Sequence, residues 1–464
     1  MSLLAVERNN PLGTSNNSTS TLVDAYNEIS IRSEKNDEAL SQYMLSLKND
    51  PRISEVAIEP SHDAISKALE DHVTRVNDDT CEPGEENSFF ICDMNELRNL
   101  YNNWKSELPR IQPFYAVKCN NDINILRRLA SFGVNFDCAS KVEIETILSM
   151  GVSPERIVYA NPCKVSSYIR FAQSRGVNKM TFDNVEELCK IKKFHPDAEV
   201  ILRITTDDST AQCRLSTKYG ADLESVRTLI AKCKELQLNL VGVSFHVGSG
   251  ASDFSSLYKA VRDSRFVFDV AVNEFDFPRF KILDVGGGFQ LESFRESSAV
   301  LNMALEEFFP EEAFKDLKVI AEPGRYFVAT TFTLAAHVIA KRKINENESM
   351  IYINDGVYGN MNCILFDHQE PIPRTLYHDN QFHYFDFDST SSVPTKSHPF
   401  KVSIWGPTCD GLDCIAKEYY MKHDLIVGDW FYFPGLGAYT SSAATPFNGF
   451  DQNVSTIYIN ESSI

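Results

Sequence analysis

The sequence predicts an α/β protein built from a (β/α)8 TIM barrel, a following mainly antiparallel β domain, and a disordered polar N-terminal tail. Three observations carry this. Short apolar runs recur from Phe114 to Glu322, with helix-patterned or mixed polar segments between them. A chemically useful side chain stands at or just past the C-terminal end of most runs. After Glu322 the alternation gives way to one strand-like run after another.

In chain order, Met1 to about Asp50 is rich in Ser, Asn, Thr and Glu and poor in aromatics. Such a composition buries too little apolar surface to offset ordering entropy, so residues 1–55 are expected to be largely disordered. Ala64–His72 has helical spacing, with Ile65, Ala68, Leu69 and His72 on one face, and Ser88–Cys92 is strand-like. The stretch 79–87 between them carries a loop signal around Pro83-Gly84. Residues 56–93 are therefore expected to form an N-terminal segment that packs on the β domain.

Residues 94–332 hold the barrel. Its runs are Phe114–Val117, Val134–Phe136, Ile157–Ala160, Lys179–Phe182, Val200–Ile204, Leu240–Phe245, Ile282–Val285 and Val319–Ala321. About eight strand–helix units are what a closed barrel requires. Continuously apolar rather than alternating strands fit a parallel sheet buried on both faces. At or past the strand ends stand Lys118, Asp137, Asn161, Asp183, Arg203, His246, Gly286-Gly287-Gly288 and Glu322. Catalytic groups gather at that mouth in such barrels. Residues 333–464 supply the β domain, from runs at Thr331–Val338, Met350–Asn354, Phe382–Phe387, Lys401–Ile404, Trp430–Phe433 and Val454–Ile459. The acidic, aromatic and Ser/Thr-rich stretch Asp379–Lys396 is expected to be an exposed insertion.

The chain has 464 residues, enough for two domains with real cores, and its 43% hydrophobic and 23% charged content describes a globular protein. A net charge of -19 argues against nucleic acid or an anionic membrane as partner, since either needs a basic face. The 11 scattered cysteines form no CxxC pair or ligand spacing, so neither a metal site nor a disulfide framework is expected, and the setting should be reduced and cytoplasmic. The run Leu3–Val6 is too short for a signal-peptide core, and no run approaches membrane-spanning length.

Lys118 ends the run Pro113–Val117, where partial desolvation favours the neutral amine needed for a Schiff base. The Gly286–Gly288 turn lets backbone N–H groups approach an anion, and Arg325 in Glu322-Pro323-Gly324-Arg325 adds charge to a phosphate site. Glu322 can hold a pyridine nitrogen protonated, and His246, followed by Gly248-Ser249-Gly250, offers a flat ring. Taken singly, each has a bland structural explanation. Together they are what pyridoxal 5′-phosphate asks of a protein. No GxGxxG opens a helix after an early strand, which disfavours dinucleotides.

The segments Pro113–Asn120, Phe136–Lys141, Ser244–Gly248, Leu283–Phe289, Ala321–Tyr326, Asn354–Gly359, Asn362–His368, Trp405–Asp413 and Gly437–Thr440 resemble the fold-type III, alanine-racemase-like decarboxylases, specifically their eukaryotic, fungal-like ornithine decarboxylase branch. The resemblance covers roughly the last four-fifths of the chain. It implies conversion of L-ornithine to putrescine and carbon dioxide, the first step of polyamine biosynthesis. Lys118 would be the Schiff-base lysine, His246 would stack on the pyridine ring and Glu322 would pair with its nitrogen. Ser249, Gly286, Gly287, Gly288, Gly324, Arg325 and Tyr439 would hold the phosphate, with Asp137 and Arg203 lining the pocket. Asp367 and Asp410 would receive the distal ammonium, Tyr358 would shape the interface site, and Cys409 would return a proton to the substrate carbon. Two carboxylates suit a substrate with a terminal amine and repel one ending in an acid. The resemblance further implies a homodimer with shared active sites, in which Cys409, Asp410 and Phe447 reach the interface and Lys218 pairs with Asp413 across it, and an antizyme-type regulator as partner. Phe366 stands where many members have Tyr, and the loop before Trp405 is longer than usual. The competing readings are a catalytically dead, antizyme-inhibitor-like homologue and a decarboxylase for lysine or another basic amino acid.

Overall fold

The structure, a computed structural model, describes residues 38–50, 53, 61–385, 398–450 and 454–460. The chain divides into two units, 1–54 and 55–464. The expected disordered tail lies outside the described residues except at 38–50 and 53, where 38–48 form a helix. Most of the expected insertion, 386–397, also lies outside them.

Within 55–464, eight parallel strands close a barrel: β2 (Ile111–Ala116), β3 (Asn135–Cys138), β4 (Ile157–Tyr159), β5 (Lys179–Phe182), β6 (Glu199–Arg203), β7 (Asn239–Ser244), β8 (Ile282–Asp284) and β9 (Lys318–Ala321). β9 returns to β2 through Ile111↔Val319 and Pro113↔Ala321. The barrel is filled by Phe114, Val158, Ile201, Val241, Ile282 and Ile320, drawn from six strands, so it is a packed core and not a pore. Local capping sets where several outer helices begin, just beyond the strand ends. Asp122, Ser140 and Asn184 each accept a backbone N–H from the first turn of the helix they open, those starting at Ile123, Lys141 and Val185. The strands lie within a few residues of the apolar runs that anticipated them.

Among the described residues, the second sheet has nine strands and is mostly antiparallel. Its spine is β10 (Phe332–Asn345), which pairs antiparallel with β1 (Phe89–Asp93), β11 (Glu348–Ile353) and β16 (Trp430–Pro434). β12 (Arg374–His378) pairs with β16 and β13 (Gln381–Phe382), while β14 (Phe400–Trp405) runs parallel to β11 and antiparallel to β15 (Cys414–Met421). The last strand, β17 (Ser455–Ile459), lies parallel to β1, so residues from the two ends of the described fold are neighbours. Helix His62–Val73 buries Ile65, Leu69 and Val73 against Phe89, Ile91, Ala335, Leu376, Trp430 and Tyr432 of this sheet.

Of the expected strand Phe382–Phe387, residues 386–387 lie outside the described residues; among 382–385 only Phe382 is in a strand, and Phe385 at φ +58° has a conformation that cannot continue one. β12 and β15 were not anticipated. Among the described residues, no helix is long and apolar enough to cross a membrane, and no group of three or more His, Cys, Asp or Glu could hold a metal ion.

Candidate active site

Polar groups converge at the C-terminal mouth of the barrel. Lys118 lies in the single turn Val117–Cys119 that follows β2, and its Nζ is 2.6 Å from Asp137 Oδ2 on the adjacent β3. The Asp137 side chain is wholly buried, whereas that of Lys118 keeps 46% of its surface exposed. Desolvation works to lower the Lys118 pKa, as the sequence suggested, but the carboxylate of Asp137, aided by Tyr439 and Glu322, outweighs it and holds the free amine protonated. That corrects the expectation of a neutral amine. The apolar strand supplies desolvation, and the neighbouring strand supplies a stronger opposing charge.

Across the mouth, the Gly286–Gly288 turn follows β8. Gly286 and Gly288 have φ of +68° and +92°, and a Cβ on Gly287 would lie 2.6 Å from the Glu322 carbonyl and 2.9 Å from His246 Nε2. Glycine is needed there so that the loops after β7, β8 and β9 can meet. His246 Nδ1 accepts the Gly248 N–H at 3.0 Å, so any ring proton sits on Nε2. Burial, followed by the charges of Arg203 and Lys118, pushes the imidazole well below its ordinary pKa and keeps it neutral. Arg203 ends β6 and is also buried.

Glu322 is buried beyond β9, with its N–H donating to the Gly286 carbonyl at 2.6 Å. Beneath the triplet lies Asp284, fully buried, whose Oδ1 accepts the Gly286 N–H at 3.0 Å. Burial first, then mutual repulsion within this carboxylate pair and from Asp137, drives Glu322 far above the usual carboxylate range. Burial also lifts Asp284, to about 7. Burial and mutual repulsion thus push both carboxyls toward their protonated forms. Sequence reasoning missed Asp284, although a carboxylate inside the apolar run Ile282–Val285 is a signal in itself.

Arg325 opens the short helix Arg325–Val328, spreads over the Tyr439 ring at 5.2 Å and is ion-paired with Asp367. Tyr439 takes φ +55° and donates its N–H to the Cys119 carbonyl at 2.9 Å. Asp367 follows the helix Cys363–Phe366, and Cys213 Sγ lies 3.9 Å from its Oδ1. Ser249 exchanges backbone hydrogen bonds with Cys213.

The other expected residues form a second group. The Tyr358 hydroxyl donates to Asp410, the Tyr358 ring stacks on Phe447 at 4.4 Å, and the Cys409 N–H donates to Asn448 Oδ1 at 2.9 Å. Cys409 is exposed, and this group makes these contacts with one another and not with Lys118 or Glu322. Asp413 is bonded within its own chain. It is 1% exposed and accepts the Val357 N–H at 2.8 Å, the Thr408 N–H at 3.0 Å and the Thr408 hydroxyl at 2.6 Å. The Lys218 ammonium lies 4.9 Å from the Tyr219 ring, and its side chain is exposed. Asn161 serves its own loop, accepting the Cys163 N–H at 3.0 Å, whereas Asp183 ties its loop to the one after β6 by accepting the Gly220 N–H at 2.9 Å.

The mouth fits pyridoxal phosphate. Asp137 Oδ1, Asp284 Oδ2 and Ser244 Oγ are buried without hydrogen-bond partners among the described residues. An amine, a glycine turn, a guanidinium and a buried carboxyl pair surround the same opening.

Residues 94–329 match the family described as pyridoxal-dependent decarboxylase, pyridoxal binding domain. The chain is 66% identical over 451 residues to an ornithine decarboxylase of Saccharomyces cerevisiae, covering 95% of this chain and 96% of that one. It is 45% identical to antizyme inhibitor 2 of Xenopus laevis, covering 80% of each chain. Among solved structures, the arginine decarboxylase of Paramecium bursaria Chlorella virus superposes with a TM-score of 0.75 at 34% identity, covering 86% of this chain and all of that one.

Proposed function

The chain belongs to the pyridoxal-dependent decarboxylase family, and from that premise we propose that it converts L-ornithine to putrescine and carbon dioxide, opening polyamine biosynthesis in the cytoplasm. The observation that carries this reading is Lys118 on Asp137 at a barrel mouth it shares with Glu322 and the glycine turn.

Bound pyridoxal phosphate supplies an electron-poor ring that accepts the pair left on the substrate carbon as carbon dioxide departs. The residues of this chain divide the remaining work. Asp137 orients the Lys118 amine and fixes its charge. Arg325, Ser249, Tyr439, Gly324 and the Gly286–Gly288 turn would hold the phosphate, the Gly286 N–H staying on Asp284 and so bracing the turn. His246, kept neutral, would pack against the ring with Arg203 nearby, and Glu322, pushed toward its protonated form, would pair with the ring nitrogen. Asp367 and Asp410 receive the distal ammonium, Tyr358 positions Asp410, and the Cys409 thiol gives its proton to the substrate carbon.

In this reading the barrel domain, 94–332, carries the cofactor, the β domain, 333–464, carries Asp367, Cys409 and Asp410, and 56–93 belongs with the β domain. A homodimer with shared sites accounts for the separate Tyr358–Cys409–Asp410 group. Leu365, Phe366, Leu412, Phe447 and Phe450 are all exposed large hydrophobics near these residues in sequence, as an interface needs. Likeness to an antizyme inhibitor supports an antizyme-type regulator as partner. It equally raises the reading of a dead regulatory homologue, against which stand the retained Lys118, Asp137, Arg203, Arg325, Asp367 and Asp410.

Incubating the purified full-length chain with labelled ornithine, lysine and arginine, and identifying the amine released, tests the proposal. Putrescine as the main product is expected. Cadaverine or agmatine would reassign the substrate, and no amine would favour the regulatory reading.

A further inference from the structure

The Arg325–Asp367 ion pair joins two groups to which the proposed function gives different ligands, a phosphate for the guanidinium and a terminal ammonium for the carboxylate. Arg325 sits on the barrel side, directly after β9, and Asp367 on the side of the second sheet, after helix Cys363–Phe366. Their side chains are only 12% and 9% exposed. A guanidinium that is held by a carboxylate must release it to grip a phosphate by the same donors. In a site this dry, separating the two without replacements would strand two poorly hydrated charges. If an anion meets Arg325 while an ammonium meets Asp367, neither is stranded.

We propose that this ion pair is a latch that couples the anion site to the amine site, so that an anion on Arg325 frees Asp367 for a terminal ammonium and an ammonium on Asp367 frees Arg325 for the anion. The inference rests on the site assignment given above. Coupling of this kind is reciprocal, so each ligand tightens the other by the same factor. It also orders events at the site: with the anion position empty, a diamine must displace Arg325 before it can bind. Asp367 is thus a competitor for the phosphate-binding arginine, not a helper, and the two roles predict opposite signs for one substitution.

The test uses the full-length chain freed of cofactor, titrated calorimetrically with inorganic phosphate in the absence and presence of saturating 1,4-diaminobutane. In the wild type, the diamine should tighten phosphate binding about tenfold. Asp367→Asn, which keeps the shape and removes the charge, should bind phosphate about tenfold more tightly than the wild type and lose the response to diamine. Phosphate affinity that ignores diamine in the wild type overturns the latch, and so does an Asp367→Asn chain that binds phosphate no better. Should Asp367→Asn fail to fold, the wild-type comparison decides alone. The visible band of the loaded protein and its release of carbon dioxide from ornithine are read separately, so a failed site assignment and a failed latch give different patterns.

Discussion

Replacing Asp413 by alanine separates two accounts of that residue, and its effect can be sized from the geometry. As the partner of Lys218 across a dimer, Asp413 would form an ion pair with an exposed lysine, worth about 0.2–1 kcal/mol. In the structure its carboxylate instead accepts three hydrogen bonds from Val357 and Thr408. Hydrogen bonds to a charged acceptor contribute about 1.5–3 kcal/mol each, and two of these share Oδ2 and are not independent. Asp413→Ala should therefore cost about 3–5 kcal/mol, since it leaves buried donors unpaired. The loop it braces carries Cys409 and Asp410, so turnover should fall as well. The assay is urea unfolding of the wild type, Asp413→Ala, Lys218→Ala and the double variant at one protein concentration, so that association contributes equally. Lys218→Ala is expected to stay within about 1 kcal/mol of the wild type, with little coupling in the cycle. An Asp413→Ala cost below about 1 kcal/mol, or a coupling as large as the whole effect, would refute the reasoning.

Further outcomes are expected at the site and beyond it. Lys118→Ala should abolish both the visible absorbance of the loaded protein and turnover; a surviving band at full strength would move the cofactor linkage to another amine. Cys409→Ala should slow turnover by about 100-fold or more, or misplace the returned proton, while cofactor absorbance is unchanged; unaltered turnover and products would end its role as donor. Verified mixed dimers of Asp410→Ala and Lys118→Ala chains should recover partial activity, and the absence of rescue would count against shared sites. Glu96 is 1% exposed in helix Met94–Glu107, and burial pushes its carboxyl up to about 7, Thr330 opposing and Asp93 reinforcing the shift. A folded-state pKa above the unfolded one means that the stability it contributes is full below pH about 4 and is lost as pH rises through 7. Glu96→Gln should therefore stabilise the chain at pH 8 relative to pH 5, by about 1–3 kcal/mol, and equal effects at the two pH values would show the shift to be absent.

The barrel was legible because each strand is buried on both faces, leaving runs such as Val200-Ile201-Leu202 with no polar interruption. β15 was not, because it is a half-exposed sheet-edge strand in which Lys417 and Glu418 break the apolar pattern. Lys118, His246, Glu322 and the glycine turn were visible since each ends a strand, and ends of barrel strands converge. What they do to one another was hidden. The charge on Lys118 depends on Asp137 in the next strand, and the commitment of Arg325 depends on Asp367 some 40 residues away, beyond the barrel strands. The intrachain bonds of Asp413 were hidden as well, because spacing cannot tell which donors a carboxylate meets inside its own chain.

The pairing of β1 with β17 ties the order of synthesis to the order of folding. A ribosome delivers Ser455–Ile459 more than 300 residues after Phe89–Asp93, so one ladder of the second sheet must wait until the whole barrel has emerged. During that wait β1 has an open flank, and Ile91 and its neighbours present a template to any passing strand. Clipping the chain a few residues after Phe450 would recreate that nascent state permanently, so β17 is expected to act as a seal against aggregation even though it lies outside the catalytic mouth.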